Sequence, residues 1–218
     1  MAMIKAFLFD LDGVLTDTSE FHYRAWQRLA DEEGLPFTRK DNEALRGVGR
    51  RESLDILLKG KRISEATAQA WMERKNNYYV EQVLKITEDN LLPGALQMLK
   101  QLRRSGIKVC IASASKNAPQ VIERLNLAPY IDALVDGSAV SRSKPAPDLF
   151  LVAADQLGVR PEECVVVEDA AAGIEAAIAA GMYSLGIGPS ERVGDADLVR
   201  PNLANAPAAE ILEFFARK

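Results

Sequence analysis

The stretch AFLFDLDGVLTDT, residues 6–18, places two carboxylates at the end of an apolar run. Asp10 and Asp12 are separated by one residue, and Gly13 follows them directly. Charge at the end of a buried strand costs free energy unless a neighbouring group stabilises it. By themselves the two side chains are compatible with a simple Asx turn after the strand. The other interpretation is a site in which a cation or a ligand stabilises the pair.

Composition and charge narrow the class of protein. The chain has 218 residues, which is enough for one or two domains with a substantial core. Hydrophobic residues make up 48% of it and charged residues 27%, as is typical of a soluble globular protein. The formal net charge is −4 without a basic stripe, which argues against a nucleic-acid partner. The apolar start is too short for a signal peptide or a membrane span, so we expect a cytoplasmic protein with no membrane partner.

Five apolar runs rich in β-branched and aliphatic residues predict the strands of a parallel sheet. Such continuous runs are typical of parallel strands that helices cover on both faces. The runs are 4–9, 107–112, 164–168, 182–187 and the weaker 131–136. Helical patterns alternate with them, which predicts right-handed βαβ units. The fold class that we expect is therefore α/β, with a Rossmann-like doubly wound parallel sheet.

Residues 17–87 depart from this alternation, because no convincing strand interrupts their helical patterns. We therefore predict an all-helical domain at 17–87, inserted into an α/β core formed by 1–16 and 88–218. The chain must cross between the two parts twice, so the insert could move as a lid on a two-segment hinge. Asp17 and Glu20 have the spacing of a capping box, which predicts where the first helix of the insert begins.

Four polar clusters fall where ligands bind in open α/β sheets, beyond the carboxyl ends of the strands. They are Asp10 with Asp12, the SASKN segment 113–117, Lys144 in SKPAPD, and Glu168 with Asp169. Each cluster alone has an ordinary structural explanation. Because all four are expected at one edge of the sheet, we predict that they form a single site.

The segments FDLDGVLTDT, SAS, KPAPD and VEDAAAGI resemble the four motifs of the haloacid dehalogenase superfamily of phosphotransferases. The resemblance extends over essentially the whole chain and implies that the helical insert is the cap of that superfamily. It also implies that Asp10 is the nucleophile that attacks phosphorus and that Asp12 is the general acid and base. Phosphatases and mutases of the superfamily carry an aspartate at this second position, so Asp12 favours phosphoryl transfer over dehalogenation.

The resemblance further implies a Mg²⁺ ion at the site. Its ligands would be Asp10, the backbone carbonyl of Asp12, Glu168 and Asp169. Ser113 and Lys144 would bind the oxygens of the transferring phosphoryl group. A carboxylate with an ordinary pKa of ~3.9 is ionised at neutral pH and needs no base, but an anionic phosphate repels it. Mg²⁺ prefers hard oxygen ligands and would relieve that repulsion.

Within the superfamily, the segments HYRAW, RGVGRRES, RKNNYY and SASKN resemble the members that isomerise sugar phosphates. This implies interconversion of β-D-glucose 1-phosphate and glucose 6-phosphate through an aspartyl phosphate, with β-glucose 1,6-bisphosphate as the intermediate and the priming compound. His22 would support Asp12. The implied substrate contacts are Thr18, Gly47, Val48, Arg50, Ser53, Lys75, Ala114, Ser115, Lys116 and Asn117. Small-molecule sugar phosphates would be the partners, and we expect a monomer.

Other interpretations stay open at this point. His22 alone would be an ordinary histidine on a helix surface, and Lys75 would be a solvated charge. The same core motifs also fit a sugar-phosphate phosphatase, in which water completes the reaction, and only the cap residues distinguish the two enzymes. A regulator that binds metal or phosphate without catalysis would carry damage in at least one motif, and the sequence shows none.

Overall fold

The structure is a computed structural model that describes residues 3–218. Six parallel strands form its sheet: β1 Ala6–Phe9, β2 Lys108–Ala112, β3 Ala133–Val135, β4 Cys164–Glu168, β5 Tyr183–Ile187 and β6 Leu198–Arg200. Their order across the sheet is β3–β2–β1–β4–β5–β6. β1 therefore lies in the interior of the sheet, paired with β2 on one side and with β4 on the other.

Ten α-helices accompany the sheet in the described part of the chain. The first four follow β1 and form the insert: α1 Ser19–Glu32, α2 Arg39–Asn42, α3 Arg50–Leu58 and α4 Glu65–Val83. The other six belong to the core: α5 Ala95–Arg104, α6 Ala118–Arg124, α7 Asp148–Leu157, α8 Ala171–Ala179, α9 Ser190–Val193 and α10 Ala208–Ala216. Strand–helix alternation resumes after the insert, as predicted, and the α/β fold class is confirmed.

Each of the five predicted apolar runs contains one of the strands. The sixth strand, β6, was not predicted. It is only three residues long, lies at the edge of the sheet and is half-buried, so it lacks the continuous apolar run that marks an interior strand. Short strands at a sheet edge give the weakest pattern in a sequence.

Successive residues of β1 point to opposite faces of the sheet, and each face has its own hydrophobic cluster. Phe7 and Phe9 belong to a cluster that includes Leu99 of α5. Leu8 belongs to the cluster on the other face, which includes Phe150 of α7. Because helices cover both faces, polar side chains of β1 find a place only beyond its end, where Asp10 follows.

The insert, which we call the cap, has a third hydrophobic cluster. Trp26 and Leu29 of α1 pack there with Leu54 of α3 and Met72 of α4. The cap thus buries apolar side chains within itself rather than only against the core. The predicted domain boundaries at residues 17 and 87 stay a prediction.

The first helix of the cap begins differently from the prediction. α1 starts at Ser19, after Thr18, and no side chain caps its first turn. The predicted capping box of Asp17 and Glu20 is therefore wrong. The carboxylate of Glu20 instead accepts hydrogen bonds from Arg39, 19 residues further along the chain, with an Nη1–Oε2 distance of 2.8 Å. The side chain of Glu20 thus pairs with a residue distant in sequence and does not cap its own helix.

The two chain segments that join cap and core are hydrogen-bonded to each other. The amide of Leu92 donates to the carbonyl of Leu15 at 2.9 Å. The hydroxyl of Thr16 donates to the carbonyl of Asn90, also at 2.9 Å. The connection is therefore a paired ribbon rather than two independent strands of chain. No helix within residues 3–218 combines the length and the apolar character that crossing a membrane requires.

Candidate active site

The carboxyl ends of the interior strands bring the predicted motifs together. Phe9, the last residue of β1, is in register with Ile111 of β2 and Val167 of β4. The next residue, Asp10, is fixed at this edge because its amide donates to the carbonyl of Val167 at 2.9 Å. Glu168 ends β4 beside it. The parallel register thus places the first and fourth motifs side by side, as the sequence predicted.

Three buried carboxylates form a cluster at this edge. Asp10, Glu168 and Asp169 each offer a carboxylate oxygen, and these oxygens all lie within 4.8 Å of one another. The Nζ atom of Lys144, whose side chain is fully buried, lies 2.6 Å from Oδ1 of Asp10 and also donates to Glu168. One ammonium group therefore contacts two of the three carboxylates, and the guanidinium group of Arg46 lies beside the third, Asp169.

The pKa values of the cluster follow from burial and from the charges of the neighbouring side chains. Burial, with the charge of Asp10 adding to it, raises the pKa of Glu168 to about 8 and that of Asp169 to about 6. Burial alone would lower the pKa of Lys144, but Asp10 and Glu168 outweigh it and hold that pKa above its usual range. Three carboxylate oxygens this close together are hard donors of the kind that Mg²⁺ prefers, so the cluster fits Mg²⁺.

Gly13 leaves room for this cluster. Its φ is +90°, a conformation that favours glycine, and a Cβ atom built there would overlap the carboxylate of Asp169. The peptide Lys144–Pro145, which follows the buried ammonium group, is cis. The conformation of Gly13 thus brings backbone close to Asp169 without a side chain in the way.

Asp12 lies outside the carboxylate cluster and has a different environment. Its Oδ1 accepts a hydrogen bond from the hydroxyl of Thr18, and its Oδ2 lies 3.8 Å from Nε2 of His22. Burial is the main reason why the pKa of Asp12 is raised to about 7, and the negative charge of Asp10 adds to the effect. A carboxyl group with such a pKa can both hold and release a proton near neutral pH. Whether its backbone carbonyl binds a metal ion stays a prediction.

His22 and Lys75 form a pair in the cap, in which Lys75 is buried and His22 is half-buried. The Nζ atom of Lys75 lies 2.7 Å from Nδ1 of His22, and it also lies over the ring of Trp26. His22 stacks on Tyr79 with a centroid distance of 4.0 Å. Burial lowers the pKa of both groups, and the positive charge of Arg50 lowers both pKa values further. The charge of Lys75 also lowers the pKa of His22. Lys75 is therefore not the solvated charge that its helix would suggest.

A cavity of about 310 Å³ lies between cap and core. The predicted site residues that line it are Asp10, Asp12, His22, Gly47, Val48, Arg50, Ser53, Lys75, Ala114, Ser115 and Lys116. The remaining predicted residues, Thr18, Ser113, Asn117, Lys144, Glu168 and Asp169, are not part of that lining. Several of them lie directly behind it: Lys144 contacts Asp10, and the amide of Ser115 donates to Oγ of Ser113 at 3.1 Å.

Sequence reasoning missed three residues that the structure places at the site. Arg46 reaches from the cap to Asp169, with Nη1 2.8 Å from Oδ2. Arg192 lies outside every motif identified in the sequence, and its Nε donates to the carbonyl of Asp169 at 2.6 Å. Asn76 contacts both cap and core side chains. Arg46 lies within the segment RGVGRRES and Asn76 within RKNNYY, so the segments were identified but not these residues.

Comparison with known proteins agrees with this geometry. The family model of haloacid dehalogenase-like hydrolases matches residues 4–181. The chain belongs to the haloacid dehalogenase-like hydrolase family. It is 44% identical over 200 residues to a β-phosphoglucomutase of Bacillus subtilis, covering 90% of this chain and 88% of that one. It is 32% identical over 212 residues to a phosphorylated carbohydrates phosphatase of Thermotoga maritima, covering 96% and 97%.

A solved structure of the same family is also similar. It is the crystal structure of a β-phosphoglucomutase from Clostridium difficile, which is 39% identical, with a TM-score of 0.95 over 99% of this chain and 98% of that one. The similarity therefore includes the cap as well as the core. The resemblance to haloacid dehalogenases, inferred from four short motifs, is confirmed, while the roles of individual residues remain predictions.

Proposed function

We propose that this protein is a β-phosphoglucomutase that interconverts β-D-glucose 1-phosphate and glucose 6-phosphate. The observation that supports it best is the placement of positive charge at two parts of one enclosed site. Lys144 contacts the candidate nucleophile Asp10 in the core, and Arg50 lines the same cavity from the cap. A sugar bisphosphate needs one cationic site for the phosphate that reacts and another for the one that does not. The Bacillus subtilis relative named β-phosphoglucomutase supports the same assignment.

The aspartyl phosphate on Asp10 would first transfer its phosphoryl group to the 6-hydroxyl of β-D-glucose 1-phosphate, while Asp12 takes the proton of that hydroxyl, and the product is β-glucose 1,6-bisphosphate. The bisphosphate then turns around in the site. A carboxylate oxygen of Asp10 bonds to the phosphorus of the other phosphate, the bond from that phosphorus to the sugar oxygen breaks, and Asp12 gives this oxygen its proton, which releases glucose 6-phosphate. Thr18 and His22, which contact Asp12 on either side, would orient its carboxyl group for both steps.

The carboxylate cluster would hold the metal cofactor, and the cap would hold the sugar. Mg²⁺ bound by Asp10, Glu168 and Asp169, with the carbonyl of Asp12, would offset the repulsion between the nucleophile and an anionic phosphate. Gly47, Val48, Ser53, Lys75 and Ala114 would line the sugar, and Arg50, Ser115, Lys116 and Asn117 would bind the distal phosphate. Closure of the cap over the core would keep water from the aspartyl phosphate.

A sugar-phosphate phosphatase is the second candidate, and the 32% identity to a carbohydrate phosphatase of Thermotoga maritima favours it. The carboxylate cluster and Lys144 would serve both reactions equally. The two functions differ in whether water or a sugar hydroxyl accepts the phosphoryl group from Asp10. The cap therefore decides between them.

One assay distinguishes the two candidates. The protein is given pure β- or α-glucose 1-phosphate with Mg²⁺ and a trace of β-glucose 1,6-bisphosphate, and glucose 6-phosphate and inorganic phosphate are followed together. We expect conversion of the β anomer to glucose 6-phosphate with little release of inorganic phosphate. When the bisphosphate is left out, we expect no formation of glucose 6-phosphate. Release mainly of inorganic phosphate would overturn the mutase assignment. Asp10→Asn should abolish both products while circular dichroism stays unchanged.

Neighbouring arginines provide a matched test of the distal phosphate site. Both line the cavity, but Arg51 is half-exposed and already paired with Glu65, whereas Arg50 has no such partner among the described ion pairs. Arg50→Ala should reduce mutase turnover much more than hydrolysis of a small phosphate ester, and Arg51→Ala should change neither by much. Equal losses of both activities in Arg50→Ala would contradict the role in distal phosphate binding.

A further inference from the structure

Arg50 is a charged group without an acidic partner. No ion pair of Arg50 occurs within residues 3–218, although burial lowers its pKa and so disfavours its charge. Its hydrogen-bond partner is a neutral group: Nη2 donates to the amide oxygen of Asn76 at 2.8 Å. A partly buried cation usually pairs with a carboxylate, because its desolvation is otherwise uncompensated. The full charge of Arg50 therefore remains available to an anion.

Asn76 makes a second contact that crosses from cap to core. The same oxygen, Oδ1, accepts a hydrogen bond from Nδ2 of Asn117, also at 2.8 Å. Asn76 lies on α4 of the cap, and Asn117 directly precedes α6 of the core. One carbonyl oxygen thus orients a donor from each domain. Arg50 lines the cavity, whereas Asn76 and Asn117 do not, so Asn76 acts from behind Arg50.

We propose that Asn76 is a positioning residue that holds Arg50 and Asn117 for the distal phosphate while leaving the charge of Arg50 uncompensated. This inference rests on the proposed function, which assigns Arg50 and Asn117 to that phosphate. Neutrality is the essential property of the side chain. An aspartate would occupy nearly the same volume and accept both hydrogen bonds, but its charge would compete with the phosphate for Arg50.

A purely structural role makes the opposite prediction. If Asn76 only linked cap and core, Asn76→Asp would preserve both hydrogen bonds and strengthen the one from Arg50, because charge-assisted hydrogen bonds are stronger. Stability and ligand affinity would then both be retained. The isosteric substitution therefore separates a link between domains from a device that keeps a cation free for an anionic ligand.

The experiment compares Asn76→Asp with Asn76→Ala and with Asn77→Asp, a matched control that adds the same charge at the next, exposed position of α4. The readouts are KM and kcat on β-glucose 1-phosphate, hydrolysis of p-nitrophenyl phosphate, the dissociation constant of glucose 6-phosphate by calorimetry, and the midpoint of thermal unfolding. For Asn76→Asp we expect KM and the dissociation constant to rise about tenfold or more. Its unfolding midpoint should not fall, and its hydrolysis of p-nitrophenyl phosphate should stay within about twofold of wild type.

The outcomes separate the inference from the proposed function. Wild-type affinity for glucose 6-phosphate in Asn76→Asp would overturn the inference, and so would equal losses in Asn76→Asp and Asn77→Asp. A loss of p-nitrophenyl phosphate hydrolysis as large as the loss in affinity would also overturn it. If the wild type binds glucose 6-phosphate but does not isomerise it, the proposed function fails, while the calorimetric comparison still decides the role of Asn76.

Discussion

Nη1 of Arg46 in the cap lies 2.8 Å from Oδ2 of Asp169 in the core. The core residue Arg192 approaches the same carboxylate, with Nη2 3.7 Å from that oxygen. Both guanidinium groups also lie near Glu43 of the cap. Asp169, a candidate metal ligand, therefore already has cations beside it, and one of them belongs to the cap. This arrangement connects the charge of the metal site with the position of the cap.

Replacing Arg46 tests that connection. Arg46→Ala removes a positive charge that opposes a divalent cation at Asp169, so the dissociation constant of Mg²⁺ should fall by about three- to tenfold. Isothermal titration of the protein with Mg²⁺ measures it without any turnover. Arg51→Ala is the control, since it removes the same charge from a cap arginine that is paired with Asp55 and Glu65. Unchanged or weaker Mg²⁺ binding in Arg46→Ala would contradict the competition.

Gly13 and Gly34 form a matched pair for testing the cluster. Both have positive φ, +90° and +64°, but a Cβ atom meets Asp169 only at Gly13 and meets nothing within 4 Å at Gly34. Each alanine substitution should lower the free energy of unfolding by about 1–2 kcal/mol, because of its backbone conformation. Only Gly13→Ala should also abolish Mg²⁺ binding. The measurements are urea denaturation and calorimetry, and equal Mg²⁺ affinities would refute the close approach.

The cap cluster should contribute to stability in its own right. Leu54 on α3 is fully buried in that cluster, whereas Ile56 on the same helix is 36% exposed. Leu54→Ala should lower the free energy of unfolding by about 2–5 kcal/mol, and Ile56→Ala by about 1 kcal/mol or less. Urea denaturation followed by far-ultraviolet circular dichroism compares them. Similar losses in the two variants would mean that α3 does not bury its apolar face as described.

The ion pair of Glu20 and Arg39 should depend on pH in a defined direction. Hydrogen bonds from Arg39 lower the pKa of Glu20 to about 2, against an ordinary value of 4.5. A lowered folded-state pKa stabilises the fold above pH 4.5, and this contribution is lost as the pH falls from there towards 2.

Glu20→Gln should therefore cost stability at pH 7, by about 1 kcal/mol or less since the pair is near the surface, and progressively less below pH 4.5. Chemical denaturation at pH 7 and at pH 3.5–4 measures the difference. The control is Glu175→Gln, at an exposed position of α8 that has no ion pair within residues 3–218. If the loss of stability in Glu20→Gln grew as the pH fell, the ion pair with Arg39 would not be what lowers the pKa of Glu20.

The local hydrophobic pattern of the sequence was sufficient to predict the alternating strands and helices of the core. Continuous apolar runs identified the five longer or better-buried strands because both sheet faces are covered by helices. The position of Asp10 followed from that result, since a charged residue after an interior strand has to lie at the sheet edge. β6 was not predicted, because its three residues are all half-buried and do not form a continuous apolar run.

Long-range pairing was beyond the reach of the sequence. The capping box of Asp17 and Glu20 was wrongly predicted because Arg39, far along the chain, binds the carboxylate of Glu20. Asn76 was missed because its importance comes from Arg50 and Asn117, which are 26 and 41 residues away. A neutral amide between two donors has no signature in sequence. The metal cluster was easier, since its carboxylates belong to motifs that each follow a strand.

The central place of β1 has a consequence for how the chain is made. β1 emerges first from the ribosome, but its partners β2 and β4 begin only at Lys108 and Cys164. The helices of the cap, by contrast, contact one another over short distances along the chain, and such contacts form sooner. The nascent chain thus has its cap complete while the strand that carries Asp10 still waits for its neighbours. A translation product that stops before residue 164 therefore contains the candidate nucleophile Asp10 but lacks Glu168 and Asp169 of the carboxylate cluster.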